Sequence, residues 1–452
     1  MRHHNPWQFE SSLAGSVWPP VGGHPAGAVL ALLFQLEETQ WLAAQSLETE
    51  QDRQLEVMVR HAWNTVAYYR QLWAGSHDPN APWSRERFQR LPLLTRRDLQ
   101  QGYEQLQSFS VLDSHGGSYE ARSSGSTGTP VRVLKSGVGS LFWTALALRD
   151  HLWHERDLSG KLAVISHGAS GESAAWSPAT EGLVKTGPSV SLGVGADAGA
   201  QLDWLVRQKA DDLLTYPSNA AQLARLSLER GVNLRLREVR TRGEALDADL
   251  RALCREAWGA KLVDVYSAEE VGYVALQCPR HEHYHVQSEN VLVEVLDGAG
   301  RACAPGEAGR VVVTDLHNFA MPLVRYEIGD YAELGDACDC GRGLPVLRRI
   351  LGRVRNTLIT SSGKRYWPTF GGRGFLDIAP VRQHQFVQKT FDLVEARLVT
   401  DARLDTSQED SLRQRVMSRL PAGIEVRIVY CTEIPRSASG KFEDFVSEVA
   451  SA

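Results

Sequence analysis

The sequence predicts an α/β protein: a large N-terminal domain with α/β sheets and a β subdomain, followed by a small, mobile α+β domain at the C-terminus. Three patterns carry that expectation. Apolar runs at 162–165, 212–215 and 262–265 alternate with helical segments at 220–230 and 248–258, the alternation that builds an α/β sheet. At 288–296 and 309–315, β-branched residues punctuated by Gly and Pro predict antiparallel hairpins. After Leu351-Gly352-Arg353-Val354-Arg355-Asn356 a shorter alternation of strands and helices runs to residue 452, which sets the expected domains at 1–353 and 354–452.

The first hundred residues read as mainly helical. From 55 to 73 apolar and aromatic residues recur at helical spacing (Val57, Ala62, Val66, Tyr69, Trp73), predicting one amphipathic helix. Thr95 precedes Arg96-Arg97-Asp98, a hydroxyl cap with an acid three positions on, which starts another.

Composition narrows the function classes. With 452 residues, 43% hydrophobic and 23% charged, the chain can bury a large core. A net charge of -5 lacks the basic surplus of a nucleic-acid grip. The longest apolar stretch, 27–36, is too short to span a bilayer. Met1-Arg2-His3-His4-Asn5-Pro6-Trp7 has neither the apolar core nor the cleavage site of a signal peptide. The expectation is a cytoplasmic protein with no nucleic-acid or membrane partner, its six cysteines reduced.

The chemistry-bearing segments begin with Ser123-Ser124-Gly125-Ser126-Thr127-Gly128-Thr129-Pro130, between two expected strands. Small residues let backbone N–H groups converge on an anion, and hydroxyls add donors without bulk. Such a loop can hold the β- and γ-phosphates of ATP, although it lacks the Gly-Lys-Ser/Thr of a Walker A loop. By composition alone a Ser/Gly/Thr run is a flexible turn, so its meaning depends on the segments that follow.

Those segments occur in a fixed order: Tyr216-Pro217-Ser218, Arg242-Gly243-Glu244, Tyr266-Ser267-Ala268-Glu269-Glu270, Arg325-Tyr326-Glu327-Ile328-Gly329-Asp330, Gly352-Arg353, and Ile434-Pro435-Arg436-Ser437-Ala438-Ser439-Gly440-Lys441. Upstream, residues 61–70 and 91–99 resemble a helical N-terminal region that accompanies this set. Together they resemble the adenylate-forming superfamily, in its phenylacetate-CoA ligase-like, CapK-like branch, over nearly the whole chain.

The resemblance implies roles for particular residues. Ser123, Ser124, Gly125, Ser126, Thr127 and Gly128 would grip the ATP phosphates, and Gly243, Glu244 and Tyr266 would line the adenine and substrate pockets. Glu270 would bind Mg²⁺, with Glu269 standing where the family usually has Thr or Ser. Asp330 would accept both ribose hydroxyls, as a carboxylate can. Arg353 at the hinge would reach ribose or phosphate, although Arg355 and Asn356 replace the acids that commonly follow. Lys441 would stabilise the charge that builds at the α-phosphate. The loop Ser361-Ser362-Gly363-Lys364-Arg365 matches the face presented for thioester formation.

A separate cluster comprises Cys278-Pro279-Arg280-His281-Glu282-His283-Tyr284-His285 and Cys338-Asp339-Cys340-Gly341-Arg342. Thiolates at Cys278, Cys338 and Cys340 with one histidine supply four soft ligands suited to a structural, tetrahedral Zn²⁺. Spacing favours His281 as the fourth, with His283 and His285 as alternatives. Cys254, Cys303 and Cys431 read as packing residues.

The implied reaction is ATP-dependent conversion of a small-molecule carboxylic acid to an acyl adenylate, then transfer to coenzyme A. The branch leans towards an aromatic or amino-aromatic acid. An adenylating enzyme that passes its acyl group to an acyl carrier protein or an amine is the alternative, and a non-catalytic nucleotide-binding relative is a third. A homodimer is compatible with each.

Overall fold

The computed structural model describes residues 7, 9, 21–23, 25–123, 130–168, 170–247, 249–353, 356–368, 370, 375, 378–437 and 440–449. Two units make up the chain, each from separate stretches. The first comprises residues 1–161, 172–189 and 265–350; the second comprises 162–171, 190–264 and 351–452.

In the first unit, helices Ala26–Thr39, Ala44–Thr65, Ala67–Leu72, Arg85–Gln89 and Arg96–Gln101 precede the strands. The single helix expected over 55–73 is broken at Val66, which is extended at φ -118 and ψ 114. Long-range bonding accounts for the break: the Thr65 carbonyl accepts Phe109 N–H at 3.1 Å, and Tyr68 N–H donates to Gln105 at 3.3 Å. The turn at Val66 directs Tyr69 and Trp73 inward, where both are fully buried. Tyr69 donates its hydroxyl to Pro322 and accepts Val324 N–H, each at 2.9 Å, so its polar end is satisfied within the core.

That core packs against a sheet whose strand order is Val291–Leu296, Ala308–Asp315, Tyr326–Leu334, Val346–Arg353, Tyr284–Val286, Gly272–Gln277 and the end of Lys261–Ala268. The hairpins expected at 288–296 and 309–315 are the antiparallel pair Val291–Leu296 and Ala308–Asp315. A separate ribbon pairs Ser118–Arg122 with Arg132–Ser136, setting Tyr119 opposite Lys135, and leads into helix Gly137–Trp153.

The second unit contains the parallel strands Leu162–Ser166, Asp212–Thr215 and Glu238–Arg242. Parallel strands need crossovers, and helices Ala198–Gln208, Pro217–Arg230 and Leu250–Trp258 supply them. Helix Pro217–Arg230 starts three residues before the expected 220–230 because Pro217 occupies its first turn, where a missing N–H costs nothing.

The C-terminal stretch of this unit carries a four-stranded sheet ordered Glu425–Tyr430, Leu393–Thr400, Val381–Thr390 and Phe445–Ser447. Helix Thr406–Met417, capped reciprocally by Asp405 and Gln408, supplies Leu412 and Val416 to its core. No described helix is long and apolar enough to cross a membrane. The result is a mixed α/β architecture with a large N-terminal part and a smaller C-terminal one.

Candidate active site

Two strands position the acids of the first unit. Tyr266 lies near the end of Lys261–Ala268 and donates its hydroxyl to Asp330 on Tyr326–Leu334 at 2.8 Å. Beyond Ala268 the chain turns into Gly272–Gln277, with a register irregularity between Tyr266 and Ser267. In this turn Glu269 is exposed and Glu270 is buried. Arg96 donates to Glu270 at 3.2 Å and to the Ser123 hydroxyl at 3.3 Å. A charge-assisted bond of this kind offsets the desolvation of a buried carboxylate.

Arg96 was not singled out from the sequence. It sits in the first turn of a helix held by the Thr95–Asp98 capping box. Leu94, two residues earlier, bonds the strand that carries Asp330, through Leu94 N–H to Arg325 at 3.0 Å and Glu327 N–H to Leu94 at 2.8 Å. Its signal was one of two arginines after a helix cap, which says nothing of a partner so distant in sequence.

Ser123 closes the root of the expected phosphate loop: its N–H donates to Val131 at 2.8 Å and its hydroxyl accepts Val131 N–H at 2.8 Å. Ser124, Gly125, Ser126, Thr127, Gly128 and Thr129 lie outside the described residues, as does Arg355.

In the second unit the structure brings Tyr216, Ser218, Gly243, Glu244 and Lys441 together. Gly243 has φ +82, and a Cβ there would stand 3.2 Å from Lys441 Cε and 3.3 Å from Nζ. A side chain at this position would be strained and would also displace the lysine. Glu244 accepts Ser218 N–H at 2.9 Å and Phe442 N–H at 2.7 Å. Burial pushes the Glu244 carboxyl above the usual carboxylate range; the Phe442 and Ser218 donors and the Arg436 charge oppose that rise.

The lysine loop is closed by its own bonds. Ser437 N–H and hydroxyl both donate to the Lys441 carbonyl at 2.9 Å. Gly440 has φ +75, and a Cβ there would meet Val194 at 2.4 Å. Arg436, quoted in the motif but given no role, donates to Ser218 at 3.0 Å, to Asn219 at 3.3 Å and to Gln222 at 3.4 Å. Arg353 ends strand Val346–Arg353, and a Cβ on the preceding Gly352 would lie 3.4 Å from Ala245.

The cysteine and histidine residues also converge. Donor atoms of Cys278, His283, His285 and Cys338 all lie within 4.8 Å of one another. Cys278 and Cys338 sulfurs are 3.9 Å apart, and Cys340 Sγ is 3.3 Å from His285 Nε2. His281, favoured by spacing, faces Asp339 instead and groups with Cys338 and Asp339. The hairpin explains the exchange, since Cys278 N–H bonds the His283 carbonyl at 2.8 Å and so folds His283 back beside Cys278.

Burial pushes the Cys338 thiol up to about 12 and Cys278 upward, and it lowers His285 to about 3. His283 Nε2 is buried without a hydrogen-bond partner among the described residues. A buried imidazole with an orphaned nitrogen, grouped with two cysteine sulfurs, fits a soft cation. Cys254 and Cys303 are buried in hydrophobic cores, and Cys431 is half-buried.

Residues 374–448 match the family described as the CapK C-terminal domain. Phenylacetate-coenzyme A ligase of Thermus thermophilus is 26% identical over 442 residues, covering 89% of this chain and 97% of that protein. The Pseudomonas putida enzyme of the same name is 24% identical over 420 residues, covering 90% and 93%.

Among solved structures, 2-hydroxyisobutyryl-CoA ligase in the postadenylation state superposes with a TM-score of 0.71 at 20% identity, covering 91% of this chain and 92% of that one. An anthranilate CoA ligase in complex with anthranoyl-AMP gives 0.56 at 17%, covering 72% and 64%. These two share the fold. Over nearly its whole length the chain is thus similar to phenylacetate-coenzyme A ligases, its C-terminal part matches the CapK C-terminal domain, and its fold is that of adenylate-forming CoA ligases.

Proposed function

We propose that this chain uses ATP to convert a small carboxylic acid to its acyl adenylate and then transfers the acyl group to coenzyme A. The observation that carries the reading is the seat of Lys441, an ammonium on a self-closed loop held against Gly243, where left-handed backbone and the nearby lysine both disfavour a side chain. Preorganised positive charge of this kind stabilises an anionic displacement without reorganising at the moment of reaction.

In the first step a substrate carboxylate oxygen bonds to the α-phosphorus and the bond to pyrophosphate breaks. In the second the coenzyme A sulfur, having lost its proton, bonds to the acyl carbon and AMP leaves. Lys441 would act in the first step, Asp330 and Arg353 on the ribose side, and Ser123 with the residues after it on the phosphates. Gly243, Glu244 and Tyr266 would border the nucleotide. Glu270 would hold Mg²⁺, which when bound offsets phosphate charge. Residues from 354 onward would move as the small domain between the steps. The branch favours an aromatic or amino-aromatic acid.

In the same reading Cys278, Cys338 and Cys340 hold a structural Zn²⁺ with a histidine of the His283/His285 pair, where spacing had favoured His281. About one zinc per chain is expected by elemental analysis of protein purified without chelators. His281→Gln should keep it and a His283→Gln/His285→Gln double variant should lose it; metal-free wild type would sink the assignment.

The test of function is acid-dependent exchange of labelled pyrophosphate into ATP, followed by product analysis with coenzyme A, carrier protein and amine acceptors. Lys441→Ala should suppress exchange on the order of 100-fold or more while sparing thiolysis of a preformed adenylate. Equal losses in the two half-reactions would remove Lys441 from this role. No exchange with any acid in a broad panel would remove the function.

A further inference from the structure

A pocket in the first unit is lined by Tyr119, Lys135, Trp143, Tyr273, Asp315 and His317. Val271 and Gly272, which follow Glu270 directly in the chain, form part of its wall. The aromatic side is built from Trp143 and Tyr273, whose rings are 6.2 Å apart, and from Tyr119, which stands opposite Lys135 on the ribbon.

Lys135 makes no hydrogen bond and no close ion pair with the described residues. The acids whose fields reach it are Asp315, Glu269 and Glu270, yet burial outweighs them and pushes the Lys135 ammonium below its ordinary range.

Asp315 Oδ1 accepts His317 N–H at 3.0 Å and Asn318 N–H at 3.1 Å, while Oδ2 makes no hydrogen bond with the described residues. His317 is stacked on Phe142 at 3.9 Å and bonds the Glu289 carbonyl at 2.7 Å through Nε2. Burial lowers its pKa to about 4, so it adds no positive charge. Asn318 spends its amide N–H groups on Leu134 and Met321, while its buried Oδ1 has no partner among the described residues. Among the described residues the pocket therefore combines aromatic walls with an uncommitted cationic donor, Lys135, and uncommitted acceptors at Asn318 Oδ1 and Asp315 Oδ2. A purely hydrocarbon occupant would leave these groups unpaired at a desolvation cost.

We propose that this pocket receives the organic part of the carboxylic acid, and that Lys135 selects acids carrying a second hydrogen-bond-accepting group, a hydroxyl or a second carboxylate. The inference rests on the adenylation reading given above. A hydroxyl accepts from Lys135 and can donate to Asn318 Oδ1; a carboxylate pairs with Lys135 by charge. Unsubstituted aryl and alkyl acids satisfy neither group.

Pyrophosphate exchange with the full-length protein tests this, using benzoate and phenylacetate against their ring-hydroxylated and ring-carboxylated counterparts. Wild type should prefer one substituted series by at least about tenfold in kcat/KM, because a site built to bond a polar group rejects the analogue lacking it. Preference for the hydroxylated or the carboxylated arm identifies which acceptor Lys135 binds.

In Lys135→Met the preference should fall to within about twofold, and Lys135→Arg should retain part of it. Comparison of melting temperatures separates a lost preference from a lost fold, and Lys135→Arg supplies a charge-retaining control. Wild type that ignores the substituent overturns the proposal. So does a Lys135→Met variant that loses every acid equally, since Lys135 would then serve the reacting carboxylate or phosphate.

Binding of the acids without ATP, read by calorimetry, separates this proposal from the adenylation reading. Selective, Lys135-dependent binding without exchange would overturn the reaction and keep the pocket. Absence of selective binding would overturn the pocket.

Discussion

Glu244 and Glu270 come from two short acid-bearing motifs, and the structure employs them in opposite ways. Glu244 spends its oxygens on the backbone N–H groups of Ser218 and Phe442, so it fastens the segment that follows Lys441. Glu270 is instead held by a side chain, the guanidinium of Arg96. A backbone donor cannot leave without unfolding its loop, whereas a guanidinium can swing aside for a cation. The comparison teaches that an acid's role follows from what holds it: Glu244 is clamped by backbone, and Glu270 is paired with a side chain that a cation could replace.

The largest expected effect separates the two directly. Glu270→Gln should reduce pyrophosphate exchange on the order of 100-fold or more, while Glu244→Gln, which keeps one acceptor oxygen, should cost roughly tenfold. Equal losses would end the distinction.

Removing the exchangeable partner comes next. Arg96→Met leaves a buried carboxylate uncompensated and should destabilise the protein on the order of 3 kcal/mol. Saturating Mg²⁺ should restore part of that loss in a denaturant titration, and no restoration would argue against Glu270 as the cation ligand.

Glu244→Ala leaves two backbone donors without acceptors and should cost about 1–3 kcal/mol. Its signature is faster proteolysis within residues 434–442, measured against the wild-type digestion pattern. Unchanged cleavage there would show that Arg436 and the Ser437–Lys441 bonds seat the loop without Glu244.

Gly243→Ala forces a side chain into left-handed backbone and should cost about 1–2 kcal/mol. Exchange should fall with it, since the new Cβ meets Lys441. Normal exchange in a destabilised variant would mean that Lys441 tolerates displacement.

The smallest effect at neutral pH concerns the sheet that carries this loop. His384 is buried between Phe375 and Phe386, and burial lowers its pKa from 6.5 to about 3. The folded state then binds fewer protons than the unfolded state between those values. Its contribution is fully present above about 6.5 and is lost as pH falls towards 3. His384→Phe should flatten that decline in acid unfolding curves, and an unchanged slope would place the acid sensitivity elsewhere.

The parts of this protein that were legible in the sequence are local ones. The Thr95–Asp98 capping box, the strand Asp212–Thr215 and the antiparallel pair at 291–315 follow from residues within a few positions of one another. Order and spacing also revealed the motif series and the cysteine cluster. The break at Val66 was hidden because its cause is Phe109, far along the chain. His281 was favoured on spacing because the hairpin that returns His283 to Cys278 leaves no mark in the Cys-x-x-His pattern.

The sequence by itself determined the α/β class, the presence of a Gly-framed lysine loop and the residue types available for phosphate, cation and soft-metal chemistry. Only the tertiary structure decided which groups meet. Arg96 reaches Glu270 across 174 positions, Phe442 reaches Glu244 across 198, and Lys135 meets no hydrogen-bond partner among the described residues. The reason is physical: caps, turns and periodicity report interactions within one or two turns of chain. Pairing and desolvation of charges depend on burial that exists only once distant segments have closed on one another.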